Sequence, residues 1–521
     1  MKHFKKLLCL FLAVLMLLSV LVACKKDQPK EEETTAPLTT PSSDVVSADV
    51  EETTEEVWET DDKGFVLDKI KDVDLGGKKI RILTGTGRMP SNYVANDDIN
   101  TPIKSAVFSR NQSVQVRLNC QLDFIEEQDG WEDAASYTQK AISMSTTQEV
   151  DMFAAYSMIP ASLMMNGVLV DLLSNDILHF DAPWWNEKMV DSCTLYDKMY
   201  FCTGDISYEL LGQLFAMQFN KDMAASVGLS EYLTQTYGVE TLYDLVESGD
   251  WTIDTMMTIA KQFYEDKDGT KTQDDRFGFV TTVVALDAFW AGSNLRYLEQ
   301  GNDGSIIVSD DMGSTKASDL AAKFVEFMKH PSVSVYSSFA QAINGNGNGV
   351  WEFHLWKGNQ SLMYLGNLSY VLEEVPFDKG VLPVPKHDQD QEDYLTCSGF
   401  PFAMWGIARS ATNYDDLCYV LECLASESYR KITPAYFDQA LQGRQDTQKD
   451  YNMLELIRQS AFIDGGRVMT KAFNEWTYYV FRGALAGPSE YLPYYAEHEE
   501  ALKEQALALN SLILNMEQLY G

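Results

Sequence analysis

Strand-like and helix-like periods alternate along the first third of this chain, and that alternation restricts it to a layered α/β architecture. Residues 78–84 (KKIRILT) read as a strand with a buried centre, 103–118 have helical spacing, and 121–126 (QLDFIE) read as a second strand. A helix is expected over 131–143, and 151–156 (DMFAAY) as a third strand running into an apolar helix that ends at Asn166-Gly167. Open sheets of this kind bind ligands beyond the carboxyl ends of their strands. The turn after Thr84, with Gly85, and the turn after Tyr156, with Ser157, are therefore candidate ligand loops.

The N-terminus carries a different kind of information. Lys2, Lys5 and Lys6 precede the almost unbroken apolar run 7–20, and Leu21-Val22-Ala23-Cys24 closes it with small residues before a cysteine. This is the pattern of an export signal with a lipobox. Residues 1–23 are expected to be a lipoprotein signal peptide, and Cys24 to carry the lipid that holds the chain on the extracellular face of the cell membrane. The run is shorter than the roughly 20 residues of a comfortable membrane span, so the expectation is anchoring rather than threading. From 25 to about 63 the chain is rich in Thr, Glu, Ser, Asp and Pro, with Trp58 as its only aromatic residue. Such a composition buries too little apolar surface to offset the entropy of ordering it. An acidic, disordered tether is expected over 24–75.

Roughly 450 residues remain beyond the tether, more than one core readily supports, which points to two lobes. Lys and Arg total 41 against 77 Asp and Glu, a net charge of −36. That balance excludes nucleic acid as a partner, since phosphate neutralisation needs basic patches. Outside the signal, cysteines occupy 24, 120, 193, 202, 397, 418 and 423. Cys193 and Cys202 flank Leu195-Tyr196-Asp197-Lys198-Met199-Tyr200, which reads as two short strands about an Asp-Lys turn, so a disulfide across that hairpin is an open expectation.

Catalytic and metal signatures are weak. There is no Gly-x-Ser-x-Gly elbow and no His-Glu-x-x-His helix, and with 77 acidic residues a pair of carboxylates carries no weight as a glycosidase signature. Asp266-Lys267-Asp268-Gly269-Thr270 invites comparison with a calcium loop, but Lys271 stands at the sixth position and Phe277 at the twelfth. It reads as a solvated turn, and neither metal nor cofactor is expected. Gly345-Asn346-Gly347-Asn348-Gly349 lacks the lysine and preceding strand of a phosphate loop and reads as a loop.

The middle of the chain adds an ordered series of motifs. Residues 214–220 (LFAMQFN) lead into Lys221-Asp222-Met223 and a helix ending near Gly228, followed by TLYDL at 241–245 and WTID at 251–254. DDRFGF at 274–279, KGNQSLMYLGN at 357–367, GVLPVPK at 380–386 and FAMWGIA at 402–408 continue it. In order and spacing this series resembles family 1 extracellular solute-binding proteins of ABC importers, over about 78–464. The resemblance implies a type II periplasmic-binding-protein-like fold, two α/β lobes joined by hinge strands with the ligand between them. On that analogy lobe one contains 76–213 plus 400–440, and lobe two 214–399 plus 441–521.

The resemblance also implies a function: a non-enzymatic binder, monomeric, that hands a small solute to the membrane subunits of an ABC permease, most often a carbohydrate or oligosaccharide. Peptide or polyamine import, and surface adhesion or sensing without a transporter, are the alternatives. Sugar sites need aromatic faces for ring C–H surfaces and carboxylates or amides for hydroxyls. Trp184 and Trp185, adjacent on an extended segment and so expected to point to opposite sides, Asp205 after Gly204, Asn367 after Gly366, and Trp476 in its aromatic-rich helix are the candidates, with Gly85, Tyr156 and Ser157 in the loops.

Overall fold

A computed structural model describes residues 58–86, 99–130, 132–270, 272, 274–336, 352–441, 447–487 and 490–520. The export signal, Cys24, the tether up to residue 57 and the glycine-asparagine run at 345–349 lie outside the described residues, as does Trp131.

Eleven strands are described: β1 (Lys78–Gly85), β2 (Cys120–Glu127), β3 (Met152–Tyr156), β4 (Phe215–Asn220), β5 (Phe277–Thr282), β6 (Leu298–Gln300), β7 (Ile306–Val308), β8 (Val333–Tyr336), β9 (Ser361–Asn367), β10 (Lys379–Leu382) and β11 (Ala403–Ile407). They form a four-stranded sheet in the order β11-β3-β1-β2, a five-stranded sheet in the order β10-β4-β9-β5-β8, and the small pair β6-β7. In the first sheet β1 runs parallel to β2 and β3, and β11 returns antiparallel to β3, pairing Ala403 with Tyr156. In the second, β5 is parallel to β8 and β9 while β4 is antiparallel to β9 and β10. All five residues of β3 are buried, as expected of an interior strand covered on both faces.

Local chemistry accounts for the helices. Pro102–Leu118 starts with the Thr101 side chain accepting from the Lys104 N–H at 3.2 Å and with proline in its first turn, and it stops at Asn119, whose φ of 47° is left-handed. It packs against the long helix Tyr414–Leu441, which covers the same sheet. The C-terminal helix Glu499–Tyr520 lies on β7, where the Asn510 amide accepts from the Ile306 N–H and donates to the Ile306 carbonyl, both at 2.8 Å. Among the described residues no helix is long and apolar enough to cross a membrane.

Two expectations are corrected. The tether does not run to 75: Thr60 is bridged to Val66, and Leu75 lies in the core. Asp68 is the reason. Its buried carboxylate accepts from Arg117 at 2.7 and 3.0 Å and from Arg430 at 3.3 Å, stitching this segment to the two helices just named. Burial alone would raise the Asp68 pKa, but hydrogen bonds and charge from Arg117, with Ser426 and Arg430, hold it below the usual range. A short acidic stretch can therefore be fixed by charge where its apolar content would not suffice.

The hairpin disulfide is also absent: Cys193 and Cys202 are both buried free thiols. Cys193 closes the helix Glu187–Cys193, and the turn that follows is tight, with Leu195 bridged to Lys198 and Tyr196 and Asp197 at φ of 50° and 58°. Cys202 is then drawn onto the first sheet, where its N–H and carbonyl pair with Trp405 at 2.9 and 2.8 Å.

Replacing Asp68 with alanine leaves Arg117 and Arg430 facing one fewer carboxylate, a change that typically costs about 3 kcal/mol at a buried pair. The chemical denaturation midpoint of D68A falls accordingly with an unchanged slope. An unaltered midpoint would mean that 58–75 rests on the body without supporting it.

Candidate functional site

The chain passes from the first sheet to the second at 213–215 and returns at 396–399, and these two segments hydrogen-bond to each other and to residues 460–462. Leu214 pairs with Ser398, with Phe215 N–H donating to the Cys397 carbonyl at 2.9 Å and Gly399 N–H to the Gln213 carbonyl at 2.7 Å. On the other side of the same strand Thr396 N–H donates to Ser460 at 3.0 Å and accepts from Phe462 N–H at 2.7 Å. A buried ion cluster flanks this ribbon. Arg467 Nη1 donates to Asp287 at 2.6 Å and its Nη2 to the Ser398 carbonyl at 3.0 Å, while Arg482 Nε donates to the other oxygen of Asp287 at 2.7 Å. Burial pushes the Arg467 pKa down, but the Asp287 carboxylate more than compensates and keeps the guanidinium charged.

The carboxyl ends of β1 and β3 face this region. Asp129 is buried there and accepts the Tyr156 N–H at 2.9 Å. It also explains Gly85: a Cβ at that position would lie 1.6 Å from the Asp129 carboxylate. Gly85 and Tyr156 are thus joined by a residue that sequence patterning overlooked, although the adjacent Gly130 marks a turn. The Ser157 hydroxyl donates to the Phe400 carbonyl just before β11, and Phe400 in turn lies 4.2 Å beneath the Arg467 guanidinium. From the second sheet, Asn367 donates through its amide to the Gln213 side chain at the first crossing. These contacts bring Gly85, Tyr156, Ser157 and Asn367 to the edges of the crossing ribbon. Trp476 is partly buried and stacked on His498 with centroids 3.7 Å apart, two residues before Tyr478, whose ring meets Phe400 at 5.1 Å.

Trp184, Trp185 and Asp205 line a separate cavity of about 250 Å³. The two indoles do not point to opposite sides. Both are buried, and their N–H groups converge on Glu422, at 3.2 Å from Trp184 and 3.0 Å from Trp185. A single buried carboxylate with two acceptor oxygens outweighs the alternation of an extended chain, and no local pattern announces it, because Glu422 is some 240 residues away. Asp205 follows Gly204, which is obligatory because a Cβ there would stand 2.2 Å from the Trp184 carbonyl. Burial raises the Asp205 pKa to about 6, with Arg458 and the Thr433 hydroxyl opposing.

The three carboxylates Asp266, Asp268 and Asp275 gather within 4.8 Å in the acidic turn. Asp275 is already engaged, by the Tyr264 hydroxyl at 2.9 Å and by the Lys267 and Thr272 N–H groups at 3.2 and 3.0 Å.

A family 1 extracellular solute-binding protein from Bifidobacterium longum subsp. infantis superimposes with a TM-score of 0.51 at 13% identity, covering 83% of this chain and 100% of its own. The maltose-binding periplasmic protein MalE from Listeria monocytogenes, solved in complex with maltose, gives 0.51 at 12% identity over 83% and 98% of the two chains. The cyclic alpha-maltosyl-1,6-maltose binding protein from Arthrobacter globiformis gives 0.52 at 12% over 83% and 99%. The fold is the two-lobed one of ABC solute-binding proteins. No protein-family model and no curated protein sequence matches the chain.

One buried acid near the first crossing makes the site sensitive to pH. Glu209, in the helix Tyr208–Gln213, is 2% exposed and neither of its carboxylate oxygens has a hydrogen-bond partner. Burial raises its pKa from 4.5 to about 8, Arg110 opposes the rise and Asp129 adds to it. The folded state therefore binds the proton more tightly than the unfolded chain, and stability drains as pH rises from about 4.5 to about 8. E209Q removes this loss: its melting temperature exceeds that of the parent chain at pH 9, and the gap closes towards pH 4. Parallel pH profiles for the two proteins would contradict it.

Proposed function

We propose that this chain is the exported, lipid-anchored binding component of an ABC importer and that it captures a carbohydrate, an oligosaccharide, between its two lobes. The reading is one of binding without catalysis. The observation that carries it is the narrow ribbon of two paired crossings joining two α/β sheets, in a fold shared with proteins solved with maltose or named for cyclic maltosyl-maltose. Two lobes held by so few hydrogen bonds can pivot, and ligand contacts to both favour closure by the difference in affinity for the two states.

In this reading the solute lies beyond the carboxyl ends of β1 and β3, where Gly85, Tyr156, Ser157 and Asp129 form one wall. Asn367 and Gln213 supply amides at its base. Carboxylates accept, and amides both accept and donate, in the patterns that sugar hydroxyls require. Attachment through Cys24 keeps the body at the outer face of the membrane, within reach of a permease, and residues 25–57 give it slack.

A thermal-shift screen of the full chain against mono- and oligosaccharides, with amino acids, peptides and polyamines alongside, tests this. A ligand at 100 times its dissociation constant adds about 2.7 kcal/mol. Stabilisation by one oligosaccharide series, with the sugar recovered intact, is expected. Stabilisation by a peptide or polyamine alone would overturn the carbohydrate assignment, and turnover of the sugar would overturn the binding assignment.

A further inference from the structure

The cavity beside Trp184 and Trp185 shares no lining residue with the small space at the Ser157–Arg467 edge of the crossing. Its walls meet at the ribbon: Leu211 and Leu214 lead into the first crossing, and Arg458, Gln459 and Ala461 lead into the segment that pairs with Thr396 of the returning chain. At about 250 Å³ it has room for one small ring with its substituents.

Its polar groups are spaced for a bridging ligand. Asp205 Oδ2 is buried without a hydrogen-bond partner, and Arg458 Nη1 stands 3.8 Å from it, beyond hydrogen-bond reach. Arg458 is held in that position by Glu455, through Nε at 3.3 Å and Nη2 at 3.0 Å, so it cannot simply swing across. A hydroxyl group donates to a carboxylate and accepts from a guanidinium at once, and neighbouring hydroxyls on one ring can serve the two groups together. The Trp185 indole, locked by Glu422 and backed by the fully buried Trp184, offers an apolar wall to a ring C–H face.

We propose that this cavity is a second binding site, for one neutral polyhydroxylated ring of monosaccharide size, held between Asp205 and Arg458. Because its walls belong to the first crossing and to the segment paired with the second, its occupant also biases the angle between the lobes, a consequence that rests on the hinged reading above.

Calorimetric titration of the full chain with D-glucose, D-galactose and myo-inositol as probes tests the site. At least one probe is expected to bind the parent chain. L211W, which fills the cavity, and D205N, which removes the charged acceptor, each weaken that binding at least tenfold. D205N changes a single atom and keeps the test valid should L211W not fold. Heat from none of the three probes, or binding that both variants leave intact, would overturn the proposal. An oligosaccharide that stabilises the chain through the interlobe site should do so in D205N as well, so failure here is distinguishable from failure of the importer reading.

Discussion

The fold depends on a ribbon only a few residues wide. Residues 213–215, 396–399 and 460–462 exchange the hydrogen bonds that join one sheet to the other, and the Asp287–Arg467–Arg482 cluster grips that ribbon from the side of the second sheet. Asp287 follows β5, whereas the two arginines come from the C-terminal helices, and Arg467 adds a hydrogen bond to the returning strand at Ser398. Charge buried this deeply persists only when it is paired and its donors are satisfied, and here each oxygen of Asp287 has a guanidinium partner. The cluster thus makes the ribbon's position specific while leaving few backbone bonds to resist bending.

What was legible in the sequence follows from how local each signal is. The strands β1, β2 and β3 and the helices between them are written in periods of two and 3.6, which neighbouring residues alone determine, and the α/β class followed. The two-lobed arrangement rested on the order of motifs from LFAMQFN to FAMWGIA. The pairing of Ser460-Ala461-Phe462 with Thr396 was invisible because three residues are too short to show a period. The same limit hid Asp129, Glu422 and Asp287, whose roles are set by partners tens to hundreds of residues away.

The side chains nominated from sequence divide accordingly. Loop residues at strand ends, Gly85, Tyr156 and Ser157, could be found from topology, and Gly85 proved to be required by the close approach of Asp129. Trp184, Trp185 and Asp205 were chosen for chemistry and occur together, but in a cavity of their own with the indoles clamped by Glu422. Trp58, assigned to the tether, meets Trp184 edge-on at 5.6 Å, so the body begins earlier than composition suggested.

Hinged capture is the central claim, and the distance between the lobes tests it most directly. Val116 and Gln235 are exposed on helices that flank the first and second sheets, and the six described cysteines are buried. Spin labels on V116C and Q235C, with Cys24 replaced by serine, report the separation by pulsed electron resonance. The account predicts a broad distance distribution that narrows and shifts when the stabilising sugar is added. A sugar that binds while the distribution stays unchanged would contradict closure and leave a rigid two-lobed binder.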